Sequence, residues 1–436
     1  VASLDASARR TMTRSLVLSA YSALAVAVQP FLRSKLRRRG RVEPGYLQHM
    51  GERFGAYEQP AQAGALWIHA VSLGETRAAG ILIEHLRSLQ PDIRILLTHG
   101  TATGRAEGER WVRAGDAQAW LPWDTPQAVR RFFNHFKPSA GVLMETEVWP
   151  NLVAAARDAG VALALANARL SAKSLAGTLR LSSLSRPAYA ALAAVWAQTD
   201  ADAKRLAQAG ATVKGVFGNL KFDATPDASL LQRGRLWREM TARPVVMFAS
   251  SREGEEAELI RVLQAHPQWV KGAQAVQWLI VPRHPQRFDE VASLIGQAGL
   301  TMSRRSAWAS QPAVADVWLG DSLGEMAFYF GMSRCALLGG SFEKLGGQNL
   351  IEAAACGCPV VMGPHTFNFT EAAQLSQQAG AAFRVASLQE GMGEAVRLVS
   401  DVPAQQRSAS AALAFAAANQ GAALKTAQAV LALMRR

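Results

Sequence analysis

Cysteine is scarce in this chain, with three residues in 436: Cys335, Cys356 and Cys358. They lie close together beside apolar runs, which argues against the disulfide framework of a small secreted domain. Cys356 and Cys358 lack a second ligand pair at zinc spacing, and no other metal-ligand cluster occurs, so no metal is expected. A Walker lysine loop and a GxSxG elbow are missing too, leaving ATPase and hydrolase readings without support. Acidic residues are outnumbered, 34 Asp and Glu against 47 Lys and Arg, giving a net charge of +13 and a pI near 10.2. That excess points to a polyanionic partner, which on charge alone is nucleic acid, an anionic membrane or a phosphorylated substrate.

A long apolar run is also wanting. Ser15 to Leu32 is short of the roughly 20 apolar residues that span a bilayer, is spotted with serine, and is closed by Gln29-Pro30. Arg9, Arg10 and Arg14 precede it; Arg33, Lys35, Arg37, Arg38, Arg39 and Arg41 follow. An anchor lying in or dipping into an anionic bilayer fits, each basic residue near the surface adding roughly 1 kcal/mol. The positive-inside tendency keeps it on the cytoplasmic side. A cleaved signal peptide fits less well, because no small-residue cleavage site follows and the arginine-rich flank is on the wrong side. A soluble helix is the remaining alternative.

What is abundant is alternation. Residues 65–71, 93–99, 117–121, 141–144 and 161–166 read as strands, separated by helical spacing at 76–89, 126–136 and 149–159. The rhythm breaks between 211 and 240, then resumes with strands at 244–250, 275–282 and 317–321. This βαβ order predicts an α/β fold of two doubly wound domains facing a cleft. The expected division is an anchor and basic flank over 1–42, domains over 43–215 and 241–415, a linker over 216–240 and a terminal helix over 416–436.

Several stretches carry chemistry. In ALLGGSFEKLGGQNLIEAAACGCPVVMGPH, residues 336–365, a strand runs into Gly340, Gly346 and Gly347 and then into a helix start at Asn349 and Glu352. Glycines permit positive φ and close approach, and a helix N-terminus favours an anion, most simply a phosphate; two tight turns without a ligand are the bland alternative. Ser72-Leu73-Gly74-Glu75 and Ser322-Leu323-Gly324-Glu325 both read as capping boxes. The dipole is expected to keep Glu75 ionised, fit to take a proton from a hydroxyl. Glu145 and Glu147 follow another strand, and Lys221 is placed to pair with one of them or with a phosphate. Arg283 can fork onto a phosphate, with His284 as a further donor.

Taken in order, HAVSLGE (69–75), LPWDTP (121–126), METEVWPN (144–151), NARLS (167–171), GNLKFD (218–223), the Ser250-Ser251-Arg252-Glu253-Gly254-Glu255-Glu256 turn, PRHPQRF (282–288), GDSLGEM (320–326) and the glycine stretch resemble the 3-deoxy-D-manno-octulosonic acid (Kdo) transferases of lipopolysaccharide synthesis. The resemblance covers about residues 45–370. It implies a GT-B fold with two Rossmann-like domains, CMP-Kdo as co-substrate, a phosphorylated lipid A precursor as acceptor, and metal-free transfer with inversion. No nucleic acid partner and no cofactor follow from it. It implies Glu75 as general base and supporting roles for Arg105, Glu147 and Lys221. On the donor side it implies Arg283, Asn349 and Glu352, to which the reading of the loops adds Ser251, His284, Gly340, Gly346 and Gly347 as candidates. The chain departs from the family pattern at Arg252, Gln348 and Leu350, to which no role is given. Rival expectations are another GT-B transferase, a nucleotide-sugar epimerase, or a membrane-associated binding protein without turnover.

Overall fold

The computed structural model describes residues 16–309, 312 and 314–435; Arg9, Arg10 and Arg14 of the expected basic flank lie outside them. The chain divides into two units, one running to Asp223 and taking in the residues from Gln420 onward, the other spanning Ala224–Asn419. The division after Asp223 falls inside the stretch where the sequence rhythm breaks. The return of the tail to the first unit has no counterpart in the sequence reading.

The first unit is built on β1 (Leu66–His69), β2 (Ile95–His99), β3 (Ala117–Trp120), β4 (Ala140–Met144), β5 (Ala162–Ala168), β6 (Ala194–Ala197) and β7 (Val213–Val216). All pairings are parallel, in the order β3-β2-β1-β4-β5-β6-β7. This is the doubly wound order, whose topological switch lies between β1 and β4. Alternation along β1 splits the core. Leu66 and Ile68 join Leu82, Ile83 and the C-terminal helix Ala422–Met434 on one face; Trp67 joins Phe132, Phe133 and Leu143 on the other. Gly141 in β4 makes room for that indole, since a Cβ there would sit 2.7 Å from Trp67.

The second unit has β8 (Val245–Ser251), β9 (Gln277–Pro282), β10 (Met302–Arg304), β11 (Val317–Leu319), β12 (Cys335–Leu338), β13 (Val360–Met362) and β14 (Ala382–Arg384), parallel in the order β10-β11-β9-β8-β12-β13-β14. Its switch lies between β8 and β12. The three cysteines are buried and free, two of them in or beside these strands.

At the N-terminus, helices Leu16–Ala27 and Gln29–Gly40 meet at a 45° bend. Pro30 opens the second, where its missing N–H and fixed φ suit a helix start. Neither helix alone is long and apolar enough to cross a membrane. Leu16, Leu24, Val26 and Phe31 are exposed, while the opposite side is tethered: Tyr21 donates to Asp124 and Ser22 to Asn151, both at 2.8 Å.

Candidate active site

Glu75 lies in the first turn of the helix Leu73–Leu89, directly after β1, and Ser72 caps that helix. The Glu75 carboxylate folds back, Oε1 accepting the Ser72 hydroxyl at 3.0 Å and Oε2 the Val71 N–H at 2.9 Å. The box therefore exists, but the glutamate reaches the N–H before the cap residue. The expectation of a fully ionised carboxylate is corrected. Burial pushes the group up, Glu145 and Glu147 add repulsion, and the bonds from Val71 and Ser72 only partly oppose them, leaving Glu75 at about 7. That is the range a general base needs at neutral pH.

The loop after β4 lies across the switch point. Glu145 is buried in a left-handed conformation, φ 59°. Its carboxylate takes Arg169 at 2.7 Å and Lys221 at 3.3 Å. Lys221 thus pairs with the carboxylate that the sequence reading left unassigned, while Glu147 accepts the Trp149 indole N–H at 2.7 Å. Burial raises Glu147 above the usual carboxylate range. Asn167 completes the junction by accepting the Leu220 N–H. METEVWPN, NARLS and GNLKFD are consequently one interlocked assembly beside Glu75. Arg105 is buried, paired with Glu52 at 2.9 Å and lying over Trp120; it braces the turn Met50–Phe54 against β3, to which Glu52 also bonds through the Trp120 N–H.

A cavity of about 190 Å³ opens at the carboxyl ends of these strands, lined by Arg53, His69, Val71, Trp123, Asp124 and Glu147 among others. Val71 joins it to the Glu75 loop. The sequence reading singled out neither Arg53, His69 nor Trp123. The last two lie inside quoted motifs, which was the available signal.

In the second unit, Gly340, Gly346 and Gly347 all have positive φ, between 69° and 89°. Any Cβ at Gly346 would meet Asn368 at 2.4 Å. Asn349 caps the short helix Leu350–Ala355, and Glu352 sits half-buried in its first turn. The loop is held by Glu255, which accepts N–H groups from Gly340 at 2.7 Å, Arg252 at 2.9 Å and Phe342 at 3.3 Å. Arg283 and His284 follow β9 and are half-buried. Burial, aided by Arg252, Arg283 and Arg287, lowers His284 below its ordinary value, so at neutral pH it offers a ring N–H without charge.

Two expectations are corrected. Ser251 is fully buried and donates to Glu256 at 2.8 Å, a carboxylate gripped by Arg287, so it belongs to the internal frame and not to a ligand-facing surface. Ser322-Leu323-Gly324-Glu325 is not a capping box: Gly324 turns the chain with φ 80°, and the helix starts only at Met326. Glu325 still accepts the Ser322 hydroxyl, and its other oxygen joins Arg233 and Arg305 at 2.6 and 2.7 Å.

Comparison with known proteins converges with this geometry. A family model described as 3-deoxy-D-manno-octulosonic-acid transferase (kdotransferase) matches residues 48–224. The 3-deoxy-D-manno-octulosonic acid transferase of Bordetella pertussis is 49% identical over 86% of this chain and 88% of that protein. The one from Haemophilus influenzae is 31% identical over 92% and 95%. Among solved structures, a glycosyltransferase from Rickettsia africae covers 86% of this chain and 100% of its own, at TM-score 0.57 and 11% identity. A UDP-GlcNAc 2-epimerase from Neisseria meningitidis covers 85% and 99%, at 0.53 and 13%. These structural likenesses show the shared GT-B architecture of two Rossmann-like units. The sequence identities go further, and the chain belongs to the Kdo transferase family.

Proposed function

We propose that the protein transfers Kdo from CMP-Kdo to a phosphorylated lipid A precursor in lipopolysaccharide synthesis, with inversion and without a metal. The acceptor's primary hydroxyl oxygen bonds to the anomeric carbon as the bond from that carbon to the CMP phosphate breaks. Glu75 takes the hydroxyl proton and CMP leaves. The observation that carries this reading is the Glu75 carboxylate, fixed by Ser72 and Val71 and raised to about 7. Family membership supplies the sugar. On the donor side, the loop after β12, with Arg283, His284, Asn349 and Glu352, supplies N–H groups and charge suited to a nucleotide phosphate and ribose. We assign Glu147 and Lys221 to the setting of Glu75.

The test is incubation with CMP-Kdo and tetraacylated lipid A precursor, read by mass spectrometry; absence of a Kdo mass increment overturns the assignment. Glu75→Gln is expected to cut transfer by about 10²–10⁴-fold while CMP-Kdo binding survives, and near-normal transfer by that variant removes Glu75 as base. We also propose that the bent helix pair and its basic residues hold the enzyme to the cytoplasmic face of the inner membrane. Deleting residues 1–40 should release it into the soluble fraction, and continued sedimentation with membranes at high salt contradicts the anchor.

A further inference from the structure

The cavity beside Glu75 holds an unusual set of unsatisfied groups. Arg53 is 4% exposed, and among the described residues no carboxylate pairs with it. Its neighbour Glu52 is committed to Arg105 and to the Trp120 N–H. One Arg53 amino group donates to the Gly100 carbonyl at 2.9 Å and the guanidinium lies 3.9 Å over the Trp120 ring, while Nε has no partner among the described residues. Trp123 Nε1 and His69 Nε2 are likewise buried without partners. All three residues line the same cavity.

A buried cation without a counter-ion is costly, and buried N–H groups without acceptors add to that cost. The two carboxylates on the wall do not relieve it. Asp124 is filled by the Tyr21 hydroxyl and the N–H groups of Asn151 and Leu152. Glu147 is turned to Trp149. Burial forces His69 neutral, down to about 3, so Arg53 is the cation the cavity offers among its lining residues. A guanidinium with a free edge, beside an indole N–H, matches a phosphate group.

We propose that Arg53, with Trp123 beside it, is the specificity determinant that holds a phosphate monoester of the acceptor sugar next to Glu75. The proposal rests on the transferase reading above and adds to it the position of the acceptor's phosphate.

The test compares wild type and Arg53→Gln on the phosphorylated acceptor and on the same acceptor after phosphatase treatment. Wild type is expected to show a KM at least tenfold lower for the phosphorylated form. Arg53→Gln should erase that preference and leave the KM for CMP-Kdo unchanged. Equal losses on both acceptors overturn the proposal, as does a wild type indifferent to the phosphate. Trp123→Phe keeps the ring and removes only the N–H; a several-fold rise in KM confined to the phosphorylated acceptor is expected, and an equal change on both acceptors counts against the pocket. Should Arg53→Gln fail to fold, inorganic phosphate on the wild type decides. Inhibition competitive with the acceptor supports the site, and inhibition competitive with CMP-Kdo alone overturns it. A wild type that transfers Kdo without regard to phosphate sinks this inference and leaves the function standing. In a wild type that transfers none, the transferase reading has failed instead. The pocket is then judged by thermal shift with inorganic phosphate, which must be smaller in Trp123→Phe than in wild type.

Discussion

At Glu75 the helix terminus favours charge and burial opposes it, and the second effect is the larger. A carboxyl held above its ordinary value favours the folded state below that value and loses the advantage as pH rises through about 7. Glu75→Gln should therefore melt higher than wild type at pH 8.5 and close to it at pH 5. The acid limb of kcat/KM in the wild type should centre near 7. Lys221 adjusts that limb indirectly, because it neutralises Glu145, one of the two carboxylates that repel Glu75. Lys221→Met leaves Arg169 as the partner there and should move the limb upward by roughly half a unit to one unit. A pH-rate profile reads this, and an unmoved limb means that Lys221 acts otherwise. Glu75 was legible in the sequence because Ser-x-x-Glu after a strand is a local pattern with a local cause. Arg53 and Arg105 were different: Arg53 stands next to Glu52 in the chain, yet that carboxylate is taken by Arg105 from a distant helix, and spacing carries no trace of that.

Most strands in the middle of each sheet announce themselves by apolar runs, and the helices between them by period; β6, interior and fully buried, is the exception, its four residues lost in an alanine-rich stretch. β7 does not, because Val213–Val216 alternates half-buried and exposed positions at an edge; it fell inside the stretch read as a broken rhythm. β10 and β14 are three residues each at the edges of their sheet and only partly buried, so they lack the apolar run that marks β11, which is as short but fully buried. The glycine loop was legible as a loop, but what shapes it was not. Glu255, in the first turn of the helix Glu255–Ala265, reaches across to the residues after β12. The Ser-Ser turn and the glycine stretch, which read as separate motifs, are one construction. Glu255→Gln should raise the KM for CMP-Kdo about tenfold, on the order of 1.4 kcal/mol, with the acceptor KM held. Loss of both together would mean that the loop does not serve the donor alone.

In the whole chain, the second unit is an insertion: residues 224–419 interrupt a unit that begins before them and is completed after them. The alanine-rich tail was legible as helix but not as belonging to the first unit. The telling residue is Asp223, the last letter of GNLKFD, which accepts N–H groups from Gly421 and Ala423 as the returning helix starts. Ala423, Ala427 and Val430 of that helix pack in one core with Leu82 and Ile83 of the Glu75 helix. Removing residues 420–436 should lower the melting of the first unit sharply, since burying a side chain the size of Val430 or Leu431 is worth about 1.5–3 kcal/mol. The second unit's transition should persist in calorimetry; loss of both in one step would contradict the division. The returning helix also sets an order of events on the ribosome. The strand and helix that carry Glu75 are made early, yet one face of their core stays uncovered while roughly 330 further residues are synthesised, about 17–67 s at ordinary elongation rates. The core beneath Glu75 is thus finished only when the Ala422–Met434 helix emerges and docks, and a nascent chain stalled within the second unit carries Glu75 without the packing that holds its helix.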